Sequence, residues 1–451
     1  MSSDLLGRLA GAKVLVWGFG HHGGGLAAAR FCTERGATVS VLEQKPPEAL
    51  GAGGAEAVAR GWPWHLGDAS HPAFMTSNLI VASPAIPPRA WPARHPPVVG
   101  PEALFCAAHQ GPRLAVTGTK GKSTTAHLCG ALLGWTVGGN SNEPLLDVLA
   151  RLGPHASVVC ELSSFQLHYL QLHGLSGAPS PSTTPPHFTA AVFTSLARDH
   201  LDWHPDLAHY QNTKLRLLEW ADALVVAPDV FAHIPAGATA LPVVTYRDGV
   251  FCGPDGRRFA TRADLALLGD HNAHNASLAL TAALHLGVDA ATAVARLRTV
   301  RGLEHRLELV HAARGVRFVN DSIATTPESA MAGLAAIPGP LAVILGGSDK
   351  GADFAELAAA VAARGASAVL IGQTALVIQR ELARWGVVGH RAATLEDAIA
   401  HAVALLARGG TVLLSPACAS FDLFNGFEDR GHRFAALSRA RFPVSAAPGA
   451  L

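Results

Sequence analysis

From Leu114 to Thr125 the chain reads Leu-Ala-Val-Thr-Gly-Thr-Lys-Gly-Lys-Ser-Thr-Thr. An apolar run, a glycine loop and a helix start, in that order, specify a strand–loop–helix turn. Small residues let backbone N–H groups close around phosphate oxygens, and the helix N-terminus adds partial positive charge. Gly118, Thr119, Lys120, Gly121, Lys122, Ser123 and Thr124 would form the cradle. Lys122 can reach the β- and γ-phosphates, and the hydroxyl of Ser123 or Thr124 can hold Mg²⁺. The strict phosphate-loop pattern has a glycine five residues before Gly121. Val116 stands there, so the loop is a shortened relative. The alternative is a glycine turn ahead of a surface helix. Gly-x-x-Gly-Lys-Ser between a strand and a helix argues against that, and ATP is the expected ligand.

A second glycine string lies upstream. The apolar strand Lys13–Gly18 runs into Gly18-Phe19-Gly20-His21-His22-Gly23 and a helical stretch to about Arg35. A strand over Ala37–Leu42 follows and ends at Glu43, twenty residues after Gly23. This is a dinucleotide-type fingerprint, with glycines for close phosphate approach and an acid for a ribose hydroxyl or another polar ligand edge. A dehydrogenase needs only this first string, and a simple ATPase or kinase needs only the second. A ligase that activates a nucleotide-carrying acid with ATP uses both.

At 451 residues and 49% apolar composition, two or three domains are expected. Further strands are predicted at Leu79–Ser83, Val158–Cys160, Ala190–Thr194 and Leu224–Val226, with a hairpin over Phe251–Ala260. Others fall at Arg317–Val319, Leu341–Leu345, Ala368–Ile371 and Thr411–Leu414, with alanine-rich helices between them. Alternating β and α argues for open parallel sheets. The expected architecture is α/β in three domains. Residues 1–100 would be Rossmann-like, 101–303 a central phosphate-loop domain, and 304–451 a second Rossmann-like sheet. Pro84–Pro101 reads as a linker or capping loop, and Gly174–His187 as a surface insertion. A net charge of +1 gives no footprint for nucleic acid or an anionic membrane. No run of about eighteen apolar residues predicts a membrane span, and the first residues lack a signal pattern. The six scattered cysteines read as reduced thiols of a cytoplasmic protein.

Several polar residues sit where chemistry is done. Glu161 ends a strand, where a phosphate-loop protein holds Mg²⁺ or where a glutamate simply meets water. His200 lies just past another strand, as a ligand or a loop histidine. Lys214 is on an amphipathic helix and by itself reads as a solvated lysine. Asn272 and Asn275 share a helix face, where asparagine can read an adenine edge or cap the helix.

Together these strings resemble the Mur ligases of peptidoglycan synthesis, and the glutamate-adding type most closely. The resemblance covers nearly the whole chain. It rests on Gly-Thr-Lys-Gly-Lys-Ser-Thr at 118–124, Glu-Leu-Ser-Ser-Phe-Gln at 161–166 and Asp-His-Leu-Asp at 199–202. Lys-Leu-Arg at 214–216, His-Asn-x-x-Asn at 271–275 and His-Arg-Leu-Glu at 305–308 extend it. Asn-Asp-Ser at 320–322, Gly-Gly-Ser-Asp-Lys at 346–350 and Ser-Pro-Ala-Cys-Ala-Ser at 415–420 complete it. The resemblance implies a cytoplasmic, monomeric, ATP-dependent ligase that joins D-glutamate to UDP-N-acetylmuramoyl-L-alanine through an acyl phosphate. Gly18, Gly20 and Gly23 would lie near the diphosphate, Glu43 near the uracil and Asn140 near the muramoyl group. Lys122 would bind ATP, with Ser123, Glu161, His200 and Lys214 organising two Mg²⁺ ions and Lys214 carried as a carbamate. Asn272 and Asn275 would face adenine, and Arg306 and Asp321 the phosphate and ribose. Thr325, Lys350, Ser420 and Phe427 would receive glutamate. Three departures stand out: Ile323 occupies a position that is often lysine, Asn140 is followed by Ser-Asn-Glu-Pro rather than Ile-Gly, and the first glycine loop carries His21 and His22. The rival readings are an L-glutamate-adding ligase, folylpolyglutamate synthase, a nicotinamide-dependent oxidoreductase and a noncatalytic nucleotide sensor.

Overall fold

The computed structural model describes residues 3–20, 23–171, 186–234, 237–238, 240–349 and 351–443. His21, His22, residues 174–185 of the expected insertion and Lys350 lie outside the described residues. The chain divides into two compact units. One comprises Met1–Thr261 with Asn275–Leu297, the other Arg262–His274 with Arg298–Leu451.

The first unit holds two five-stranded parallel sheets and a small antiparallel one. In the first sheet the strands run Trp64–Leu66, Thr38–Glu43, Lys13–Trp17, Leu79–Ala82, Val98–Val99. All pairings are parallel. Val14, Leu15 and Val16 are at most 1% exposed, as a strand covered on both faces requires. Lys13–Trp17 lies between Thr38–Glu43 and Leu79–Ala82, where the winding of the sheet reverses direction. Such a point opens a crevice beyond the carboxyl ends of the strands.

The second sheet runs Leu224–Val226, Ala190–Phe193, Arg113–Thr117, Val158–Glu161, Thr136–Gly139. Its register sets Val116 beside Glu161 on one side and Val192 on the other. The phosphate loop therefore leaves the central strand between two neighbours that end at the same level. Strands Thr245–Arg247, Val250–Cys252 and Arg258–Thr261 form the antiparallel sheet, which adds one strand to the expected hairpin. The proline-rich stretch is more than a linker: Val98–Val99 pairs with Ile80–Val81 and a helix starts at Pro101.

The second unit is built on a six-stranded sheet. Its order is Glu308–Ala313, Val316–Asn320, Gly410–Leu414, Leu341–Leu345, Ser367–Leu370, Gly389–Arg391. The first pair is antiparallel and the rest are parallel. Alternate residues of Leu341–Leu345 feed two apolar cores, Val343 and Leu345 on one face and Ala342 and Ile344 on the other. Helices on both faces supply the remainder of each core, as period-two alternation within a doubly covered sheet dictates.

Candidate active site

The phosphate loop is shaped by two glycines. Gly118 has φ +146°, and a Cβ there would strike the Thr194 hydroxyl. Gly121 has φ +83° and precedes helix Lys122–Leu133; a Cβ there would lie 2.6 Å from Asn275 Oδ1. Neighbouring segments hold the loop from below. Thr119 N donates to Ser195 O at 2.8 Å, and Lys120 N donates to Ser195 Oγ at 2.9 Å. Ala197 N donates to Thr119 Oγ1 at 2.9 Å, and the Thr119 and Tyr210 hydroxyls share a hydrogen bond of 2.8 Å. Lys122 Nζ folds back to Thr119 O at 3.0 Å, and exposed Lys120 pairs with Asp199 at 3.4 Å. Thr124 is buried at the start of the helix.

Around this loop the structure gathers most of the residues singled out in the first unit. Glu161 is 0% exposed. Its Oε1 accepts from Ser123 Oγ and Asn140 Nδ2, both at 2.8 Å, and its Oε2 accepts from Asn142 Nδ2 at 2.7 Å. All three donors are neutral. A buried carboxyl carrying no opposite charge suits a cation, and hydroxyl and carboxyl oxygens are the hard ligands Mg²⁺ prefers. Asn140 thus sits with the phosphate-loop group, through its contact to Glu161.

Lys214 is 1% exposed. Its Nζ donates to Gly118 O at 2.8 Å and to Thr117 Oγ1 at 3.3 Å. Burial, and then the nearby Lys122 charge, push its amine well below the usual lysine range, against a weaker opposing pull from Asp199. The neutral amine is therefore favoured, the form that can act as a nucleophile. The sequence could not show this, because the amphipathic pattern around Lys214 is that of a surface helix.

His200 adopts φ +52° and packs edge-on against Phe165, ring centroids 4.8 Å apart. Burial lowers its pKa, Asp199 opposes this, and Lys122 and Lys214 lower it further. The ring is thus kept neutral, with a nitrogen lone pair to offer. Asn275 approaches Gly121, and Asn272, in the second unit, donates to Leu268 O at 2.7 Å. Asn142 and Tyr210 were missed in the sequence. The only available signal was spacing, two residues beyond Asn140 and four before Lys214.

The other glycine string opens on a cavity of about 760 Å³ beyond the strand ends of the first sheet. Gly18, Gly20 and Glu43 line it, with Trp17, Ile86 and Trp91 as apolar wall. Glu43 accepts from Gly20 N at 3.3 Å and from Gln44 N at 2.8 Å. Gly23 starts helix Gly24–Glu34 behind the loop with φ +80°.

In the second unit, Asp321 is buried and accepts from Ser415 Oγ at 2.7 Å and Leu307 N at 3.2 Å. Burial pushes its carboxyl up to about 7, opposed by those hydrogen bonds and by Arg306. Arg430 is fully buried and organises the turn beside it. Its guanidinium donates to Ser322 Oγ at 2.9 Å, Ser322 O at 2.8 Å and Cys418 O at 3.0 Å, while Ser322 Oγ donates to Phe427 O at 2.8 Å. Ala417 N donates to Ala324 O at 2.9 Å, next to Thr325, and Ser420 is buried at 2% exposure. Arg430 thus ties the Asp321–Thr325 turn to the segment that carries Ser420 and Phe427.

The family model for the Mur ligase middle domain matches residues 116–283, and that for the Mur ligase, glutamate ligase domain matches 305–418. The UDP-N-acetylmuramoylalanine–D-glutamate ligase of Anaeromyxobacter dehalogenans is 36% identical, over 96% of this chain and 98% of its own. That of Pelotomaculum thermopropionicum is 34% identical, over 94% and 96%. Among solved structures, the MurF ligase of Thermotoga maritima in complex with ADP superposes with a TM-score of 0.52. It is 15% identical, over 97% of this chain and 99% of its own, a likeness of fold. The folylpolyglutamate synthase of Mycobacterium tuberculosis superposes at 0.54 with 18% identity, over 76% and 95%. The chain belongs to the Mur ligase family, among the UDP-N-acetylmuramoylalanine–D-glutamate ligases.

Proposed function

We propose that this protein joins D-glutamate to UDP-N-acetylmuramoyl-L-alanine at the expense of ATP, in cytoplasmic peptidoglycan synthesis and as a monomer. Three domains would divide the work: residues 1–100 for the UDP substrate, 101–303 for ATP and 304–451 for glutamate. The observation that carries the reading is the convergence of Ser123, Glu161 and the buried Lys214 on one phosphate loop. A dehydrogenase has no use for that group, and the nucleotide-type sheet upstream is not needed by a bare ATPase.

A carboxylate is a poor electrophile at neutral pH. Its oxygen attacks the γ-phosphorus of ATP, ADP leaves, and an acyl phosphate results. The amine of glutamate attacks the acyl carbon, and the tetrahedral intermediate expels phosphate. Lys122 lies at the helix N-terminus, where its ammonium balances charge on the transferring phosphoryl group. Ser123, Glu161 and His200 would hold Mg²⁺, which supplies Lewis-acid charge when bound. Lys214, its amine favoured in the neutral form, captures CO₂ and releases a proton, so that an anionic carbamate stands beside the metal site. Asn275 would stand at the adenine side, with Asn272, Arg306 and Asp321 on the nucleotide from the second unit. Thr325, Lys350, Ser420 and Phe427 would take glutamate. Gly18, Gly20, Gly23 and Glu43 would take the UDP moiety, and Asn140 would stand near the muramoyl group.

The test is phosphate release from ATP with UDP-N-acetylmuramoyl-L-alanine present and each glutamate enantiomer supplied in turn. Release dependent on D-glutamate is expected. Release with L-glutamate alone would transfer the reading to the other enantiomer, and release without either amino acid would remove the ligase reading.

A further inference from the structure

The loop after strand Thr136–Gly139 brings a second amide to Glu161. Gly139 N donates to Glu143 O at 2.9 Å and Asn142 N donates to Gly139 O at 2.6 Å, so residues 139–143 close into a tight turn. Asn140 and Asn142 project from this turn onto opposite oxygens of one carboxyl group.

The distribution of donors is unequal. A carboxylate offers about four in-plane lone-pair sites, two on each oxygen. On Oε1 both are engaged, by Ser123 and Asn140. On Oε2 one is engaged, by Asn142 alone among the described residues. One site on Oε2 is left, and Asn142 decides which way it points. Ser123 donates its proton to Glu161, and that bond does not use its own lone pairs.

We propose that Asn142 is a positioning residue that sets the Oε2 edge of Glu161 for a divalent cation shared with Ser123 Oγ. The inference rests on the reading that Ser123 and Glu161 form the Mg²⁺ site. Without Asn142 the carboxyl group is anchored through Oε1 only and can turn about its terminal torsion, which is broad for glutamate. Loss of a partner that orients a metal ligand costs about 10- to 100-fold in metal affinity.

The experiment is titration of the full-length protein with Mn²⁺, read by electron paramagnetic resonance, with a nonhydrolysable ATP analogue present. Two variants are compared with wild type. Asn142→Gly keeps the turn backbone, and Asn142→Leu keeps the volume without the donor. Both should bind Mn²⁺ about tenfold more weakly, with UDP-substrate affinity unchanged. In turnover, the half-saturating Mg²⁺ should rise by about the same factor, while kcat at saturating Mg²⁺ changes far less. Wild-type Mn²⁺ affinity in either folded variant overturns the inference. So does a parallel fall in UDP-substrate affinity, which would make Asn142 a support of the whole loop. Glu161→Gln separates the two layers. If it binds Mn²⁺ as wild type does, the metal-site reading itself fails. If it loses Mn²⁺ while the Asn142 variants keep it, only the role of Asn142 fails.

Discussion

Lys214 shows how far a residue's chemistry is set by its surroundings. Its own sequence context, Asn-Thr-Lys-Leu-Arg, is that of a solvated helix. The fold buries its amine against the Gly118 carbonyl and near Lys122, and both burial and that charge favour the neutral form. A neutral amine is what captures CO₂. Lys214→Ala should therefore be nearly inactive and regain part of its activity with added acetate or formate, which replace the carbamate. The direct check is ¹³C-bicarbonate labelling, with a carbamate signal present in wild type and absent in the variant. A fully active alanine variant would reduce Lys214 to a packing residue. Glu161 illustrates the same point from the acid side. The sequence could place it at a strand end, yet its three neutral donors come from two separate segments, the start of helix Lys122–Leu133 and the turn at 139–143.

At the scale of elements, the phosphate loop was legible because its signal is local. Glycine spacing, the preceding apolar run and the following hydroxyls lie within a dozen residues. The backbone reasons are equally local at Gly121. A non-glycine residue in the left-handed region costs about 1–2 kcal/mol, and a Cβ there meets Asn275 Oδ1 at 2.6 Å. Gly121→Ala should lower kcat/KM for ATP by about tenfold or more, that strain being roughly a factor of ten in an equilibrium. UDP-substrate binding should stay as in wild type, since Gly18 and Glu43 line a separate cavity. Steady-state kinetics with ATP varied, beside a binding titration with the UDP substrate, checks both. The long apolar strands were legible for the same reason, from Lys13–Trp17 to Gly410–Leu414. Strands Trp64–Leu66, Val98–Val99 and Gly389–Arg391 were not. Two or three residues carry no period, and these edge strands form because a neighbour offers free backbone groups. Asn142 and Tyr210 escaped for a related reason: their contacts join segments 19 and 91 residues apart.

At the scale of the whole molecule, a nearly balanced charge leaves the pH response to a few buried groups that oppose one another. His204 is buried, with Nδ1 2.8 Å from His209 Nδ1 and Nε2 3.0 Å from Ser164 Oγ. Burial first, and then the neighbouring His209, lowers it to about 3. Its contribution is present above the ordinary histidine value and is lost as pH falls through about 3. Asp321 works in the other direction. Its folded pKa of about 7 lies above the ordinary 3.8, so the native state keeps a proton that the unfolded chain releases. That stability is fully present below about 4 and is lost as pH rises through about 7. A shift of this size corresponds to about 4 kcal/mol at most. Asparagine resembles the protonated acid and does not titrate. Wild type should therefore lose stability relative to Asp321→Asn between pH 4 and pH 8, in the second unit. Hydrogen exchange of the amides in Val316–Asn320 reads that unit directly. Taking wild type against variant at each pH cancels the intrinsic exchange rate. Protection in the variant should gain on wild type as pH rises, by a factor that levels off above about 8. A ratio that stays flat, or that moves in favour of wild type, would mean that Asp321 is ionised in the native protein throughout and is stabilised by Arg306 and Ser415 rather than opposed by burial.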